Sequence, residues 1–181
     1  MYNLSTKKTS IIFGCLFLFI KGNSQINKQL ERSSTNYCLC QNQDTTNSIA
    51  NENTASYRIL DIGMNMALIS KTIIIGSCWD FVNEVYKRAG VANTKKTIFK
   101  SKQKGPYAKP NLVKPGDWVY HINKNYNNIE HSAIFVCWKD FANKIAVTLS
   151  YAGMNKKTPG KFGEYQLNNI YSIFRPKNNL K

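Results

Sequence analysis

The sequence predicts an α+β domain in which helices come first and an antiparallel β-meander follows. Two observations predict it. Apolar residues recur at helical spacing only between about residues 55 and 90, and short aromatic and β-branched runs separated by turn residues fill residues 115 to 176. A third observation bounds the domain: residues 25–54, including "QNQDTTNSIANENT", carry few large apolar groups. Such a segment buries too little surface to offset its ordering entropy and reads as a linker.

Each element follows from local chemistry. In "SYRILDIGMNMALISK", Ile59, Ile62, Met66 and Ile69 stand three and four apart, the spacing of an amphipathic helix. "TIIIGS" reads as a loop packed under the next helix. "CWDFVNEVYKRAG" is the clearest helix: Cys78, Phe81, Val82, Val85 and Ala89 share one face. Ser77 and Asp80 resemble a capping box. Asp80 and Glu84 lie early and Lys87 and Arg88 late, as the macrodipole prefers, and Gly90 suits the C′ position. "TKKTIFKSKQKGPYAKP" is basic and loop-like. Pro115-Gly116-Asp117 is turn chemistry feeding a strand from Trp118 to Ile122. "EHSAIFVCW" and "IAVTLSYAG" are further strands joined by the tight turn "KDFANK". "TPGKFGEYQ" reads as a loop and "IYSIFRP" as the fourth strand.

The chain begins with the features of an exported protein. Lys7 and Lys8 precede the apolar run "SIIFGCLFLFI", and the polar "KGNSQ" follows. This is the build of a signal peptide over residues 1–24, too short for an ordinary membrane span. A secreted or periplasmic, envelope-associated monomer is expected, with no stable membrane span after cleavage. Removing residues 1–24 takes away Lys7, Lys8 and Lys21 and no acid, so the formal charge falls from +15 to +12. A field of that sign favours anionic polymers. No nucleic-acid motif interleaves aromatics with the basic residues, so a cell-envelope polymer is the expected partner and nucleic acid is not. Lysine and asparagine richness is equally what a merely soluble surface shows. The exported part keeps Cys38, Cys40, Cys78 and Cys137. No CxxC pair or histidine cluster accompanies them, so neither a metal nor a cofactor is expected.

Cys78 carries the chemistry the sequence offers. At a helix N-terminus, unpaired N–H groups and the positive end of the dipole favour a thiolate and can bind an oxyanion. A base would complete a nucleophilic pair, and the chain has two histidines, His121 and His131. The bland alternatives are a buried packing cysteine and strand-edge structural histidines; His121 reads as a surface or rim residue. Cys137, six residues after His131, falls on the same strand face by period two and belongs to the core. Trp79, Trp118 and Trp138 read as core or groove wall.

A cysteine opening a helix, a "KPGD" turn opening a strand, and the strand "HSAIFV" occur in that order. Together they resemble the NlpC-type and CHAP (cysteine, histidine-dependent amidohydrolase/peptidase) enzymes across about residues 55 to 176. The resemblance implies a papain-like fold spanning 55–181 and hydrolysis of peptide or amide bonds in peptidoglycan through a thioacyl-enzyme. Cys78 would attack, His131 would act as base, and the Cys78 amide would contribute to an oxyanion hole. Trp79 departs from the small or hydroxyl residue that usually follows the cysteine. The residue that orients the histidine usually lies on the next strand; here that strand offers Thr148, Ser150 and Tyr151. Ser150 aligns best, with a backbone carbonyl or Asn155 as alternatives. A catalytically inactive wall-binding member and a secreted effector acting on another amide or acyl bond are the competing expectations.

Overall fold

The computed structural model describes residues 54–178 apart from 125, 152, 154 and 155. The expected signal peptide and all but the last residue of the linker lie outside the described residues. Helix α1 (Ala55–Met64) runs into a π-helical turn (Asn65–Ile69), and α2 spans Cys78–Arg88. Six strands follow: β1 (Lys96–Lys100), β2 (Trp118–Asn123), β3 (Ile129–Asp140), β4 (Ile145–Ser150), β5 (Lys161–Gln166) and β6 (Ile170–Arg175). They form one sheet in the order β1-β6-β2-β3-β4-β5, every pair antiparallel. The α+β class holds, with helices packed on an antiparallel sheet.

Helix α2 forms as its sequence requires. The Asp80 carboxylate accepts from the Ser77 amide and the Ser77 hydroxyl, both at 2.7 Å. Phe81, Val82, Val85 and Ala89 are fully buried against the sheet. Gly90 ends the helix at φ +73°, a conformation glycine adopts without a Cβ penalty. The Tyr86 hydroxyl donates to the Gly116 carbonyl at 2.6 Å, tying α2 to the Pro-Gly-Asp turn. In that turn Gly116 has φ +82° and lies so close to Ser56 that a Cβ would fall 2.9 Å from its Cα.

The sheet separates two apolar layers. Ile59, Met66, Phe81, Val85, Tyr86, Trp118, Ile134 and Leu149 fill the helix side. Val119, Ala133, Phe135, Ala146, Ile170 and Ile173 fill the other. Along β2 and β3 this assigns the even residues (Trp118, Ser132, Ile134) to the helix side and the odd ones (Val119, Ala133, Phe135) to the far side. Tyr165 on β5 packs against His121 on β2 with centroids 5.7 Å apart. Those strands are three steps apart in the sheet, roughly 14 Å if it were flat. The sheet therefore curls, and the far side is a concave interior.

Four sequence expectations are corrected here. Lys96–Lys100 and Lys161–Gln166, read as loops, are strands. Both are edge strands, pairing only with β6 and β4, so each packs on one side at most and carries lysines where a central strand carries valine or isoleucine. Ile69 does not continue the buried stripe of Ile59 and Met66; it is exposed. The π-turn places more residues in each turn, which rotates the stripe off its face. Cys137 does not share the face of His131. A bulge between Phe135 and Cys137 reverses the alternation, and Cys137 joins the helix-side layer beside Val147. It is disulfide-bonded and in the core.

Candidate active site

Cys78 is the first residue of α2 and is a free, half-buried thiol. Backbone geometry fixes what it faces. The Phe135 amide donates to Asp117 and its carbonyl accepts from Gly116, so the odd residues of β3 direct their backbone toward β2. In an antiparallel strand the even residues then direct theirs the other way. The ladder with β4 begins at the Ala133–Ser150 pair, so Ser132 is left with an amide pointing past the end of β4. Cys78 occupies that position. The chain leaving β4 seals it from behind: a Cβ on Gly153 would lie 3.2 Å from the Cys78 nitrogen.

The electrostatics of the thiol divide accordingly. Burial pushes its pKa up from the ordinary value; the amides of Ser132, Trp79 and Cys78 itself act to lower it, and the Glu130 carboxylate acts to raise it. Burial wins, so the resting group is a thiol, with the amides of Ser132, Trp79 and Cys78 favouring its anion.

His131 stands next to Ser132 but its side chain faces the concave interior. Its ring meets His121 edge-on at 5.5 Å and stacks on Tyr165 at 5.5 Å. His121, directly opposite in the β2–β3 register, is buried rather than at a rim. Burial lowers the pKa of His131 to about 4, and burial and then the charge of His131 lower that of His121 to about 3. Both rings are therefore neutral at physiological pH. Nε2 of His131 and both ring nitrogens of His121 are buried without hydrogen-bond partners among the described residues. Ser150 pairs with Ala133 and shares the concave side with His131. The structure thus brings Cys78 to the backbone beside His131, and puts Ser150 and His131 on one side of the sheet. No hydrogen bond joins Cys78, His131 and Ser150 among the described residues. Asn155 lies outside them.

On the helix side the structure gathers residues to which the sequence assigned no catalytic role. Glu130 accepts from Gln103 Nε2 at 2.5 Å. Tyr171 lies against that carboxylate, and burial followed by this contact pushes its hydroxyl pKa up. Tyr120, whose pKa is pushed up to about 12 chiefly by burial, packs between Trp118 and Tyr171. Trp118 Nε1 donates to the Ser132 hydroxyl at 2.5 Å, which fixes the side chain of the residue whose amide Cys78 faces. Alternation could have placed Glu130 and Ser132 opposite His131, given which face packs the helices. Tyr171 had no such signal, because the β2–β6 ladder shifts register beside it.

Glu130 opposes the thiolate, so removing its charge has a readable consequence. Glu130→Gln is expected to lower the apparent pKa of Cys78 and speed its alkylation by iodoacetamide at pH 7 to 8. An unchanged rate-versus-pH curve would mean that the carboxylate does not reach the sulfur's field.

These features define a class: an α+β domain with a free cysteine at a capped helix N-terminus, facing a β3 amide just past the end of β4. No known protein family and no curated protein sequence matches the chain. Among solved structures it is similar to one described as "Crystal structure of a wild type endolysin LysIME-EF1", with 12% sequence identity and a TM-score of 0.42. That similarity covers 66% of this chain and 64% of the other, under two-thirds of that protein's length. It transfers no residue roles.

Proposed function

We propose that the chain is an exported cysteine hydrolase that cleaves peptide or amide bonds, with peptidoglycan as substrate. The observation that carries this reading is Cys78: unbridged, first in a capped helix, and facing the amides of Ser132, Trp79 and its own residue. Those N–H groups favour negative charge on sulfur and on an oxygen bonded to the attacked carbon. The charge, +15 for the whole chain and +12 without residues 1–24, suits an anionic wall.

In the proposed reaction His131 takes the thiol proton, and the sulfur bonds to the carbonyl carbon. The C–N bond then breaks while the imidazolium returns the proton to the leaving amine. Water hydrolyses the thioester, releasing the acid and restoring the thiol. Because no hydrogen bond joins the two side chains, the reaction begins with the His131 ring turning from the His121–Tyr165 stack toward the Cys78 sulfur. Ser150, on the same side of the sheet, is the proposed orienting hydroxyl.

The test is digestion of purified sacculi by the wild type and by Cys78→Ala, with released muropeptides and new amines measured. Wild-type release that falls by at least about a thousandfold in the variant is expected, as for loss of a covalent nucleophile. Equal release by both would remove Cys78 from the reaction. A second reading, an inactive wall-binding protein, is favoured by the raised thiol pKa and the unjoined Cys78 and His131. Sacculus binding without release by either protein would select it.

A further inference from the structure

The segment joining the π-turn to α2 exposes apolar side chains in a regular way. Between Lys71 and Trp79 burial alternates residue by residue, so that Ile74 turns inward to the helix-side layer and Ile73 and Ile75 turn outward. Ile69 is 65% exposed, Ile73 48%, Ile75 60% and Trp79 44%. Four large apolar groups on one short stretch, ending beside Cys78, are more than the isolated exposed residues any surface carries. No core requirement explains the three isoleucines, since Ile62, Leu68 and Ile74 already supply the packing beneath; Trp79 packs on Trp118, with ring centroids 5.7 Å apart, and is still 44% exposed.

Charge indicates what they meet. Lys71 stands at the bend of this stretch in the left-handed conformation, φ +46°. Lys156 and Lys157 are exposed on the loop that packs on the start of α2 through Gly153. Asp80, the acid in the stretch, is held by the Ser77 amide and hydroxyl. Projecting isoleucines and a tryptophan rimmed by lysines suit an anionic bilayer surface: the apolar groups enter the headgroup–acyl boundary while the ammonium groups remain among phosphates.

We propose that Ile69, Ile73, Ile75 and Trp79 form a docking surface for an anionic lipid bilayer. Docking there brings Cys78 to the membrane interface. The docking stands on its own; only the identity of what Cys78 meets there, an amide or acyl bond held near the headgroups, rests on the hydrolase proposed above.

The experiment is co-sedimentation of the protein, in the form cells export, with phosphatidylglycerol vesicles and with phosphatidylcholine vesicles. Binding to the anionic vesicles that weakens with added salt is expected. Ile73→Ser/Ile75→Ser is expected to weaken it about tenfold or more, from the apolar area no longer buried. Lys71→Glu/Lys156→Glu is expected to weaken it and flatten its salt dependence. These positions are exposed, and an unchanged thermal midpoint shows that the variants fold. Cys78→Ala should bind as the wild type does, which separates failure of docking from failure of the hydrolase. Quenching of Trp79 fluorescence by doxyl-labelled lipid, lost in Trp79→Phe, places the surface at the interface. Equal vesicle binding by the wild type and the isoleucine variant overturns the proposal, as does no binding to either vesicle. Self-association that Ile73→Ser/Ile75→Ser abolishes, without vesicle binding, would overturn it in favour of a protein partner.

Discussion

Acidifying the protein from pH 6 to about pH 4.5 is expected to remove stability at about 2.7 kcal/mol per pH unit, the slope for two protons bound only by the unfolded chain. His121 and His131 are the two sites. In the fold their pKa values are about 3 and about 4, burial being the first cause for both. Unfolded, each titrates near 6.5. A depressed folded pKa means that the neutral rings contribute fully above about pH 6.5. The contribution is lost as pH falls through the window toward 4, where His131 begins to bind its proton in the fold. Over that range the loss is about 4 kcal/mol, a large part of the stability of an ordinary domain. The groups facing the pair are consistent with this: Tyr165 lies against both rings, and the Glu130 side chain is on the other face of β3. Urea unfolding at pH 7, 6, 5 and 4.5 measures the slope. His121→Phe should halve it. A flat profile from pH 7 to 4.5 in the wild type would show that the rings are hydrated or paired, and would remove the argument for a neutral resting His131.

What the sequence shows and what it hides divides along physical lines. Helix α2 was legible because every signal for it is local: Ser77 and Asp80 at one end, Gly90 at the other, Phe81 and Val85 between. The central strands were legible because burial on both faces forces the runs at Trp118–Ile122 and Ala133–Val136. The edge strands β1 and β5 were not, since Lys96, Lys100, Lys161 and Glu164 look like loop residues unless a neighbouring strand is known. Two insertions in regular geometry defeated periodicity outright. The π-turn carried Ile69 out of its stripe, and the bulge after Phe135 moved Cys137 to the other layer. The site shows the same division. Cys78 at a helix start is a local feature. The direction of the His131 ring depends on which sheet face receives the helices, and the burial of His121 depends on the curl that brings Tyr165 over it. Both are consequences of long-range packing, invisible in "VYHI" and "EHSA".

Arg175→Ala is expected to cost about 3–5 kcal/mol, the range for leaving one buried charge without its partner. Asp117 is fully buried at the turn into β2. Arg175, the last residue of β6, donates to it twice, Nε to Oδ1 at 2.8 Å and Nη2 to Oδ2 at 2.7 Å. The arginine also donates to the Leu112 carbonyl at 2.7 Å. The Lys114 amide gives the carboxylate one further bond at 2.8 Å, which holds the turn but supplies no full charge. Burial raises the pKa of Asp117 despite the guanidinium, so the bare carboxylate left by the variant would be still costlier. Lysine cannot substitute, because a single ammonium does not reproduce two parallel N–H bonds. The double variant Arg175→Leu/Asp117→Leu should be more stable than Arg175→Ala, since no charge remains to be desolvated. Urea denaturation of the wild type, the single and the double variant measures both differences. A loss below about 1 kcal/mol, the range of an exposed ion pair, would show that water reaches Asp117. The consequence extends to the site: this pair fixes the entry of β2, β2 sets the register of β3, and β3 carries both the Ser132 amide that Cys78 faces and the His131 ring.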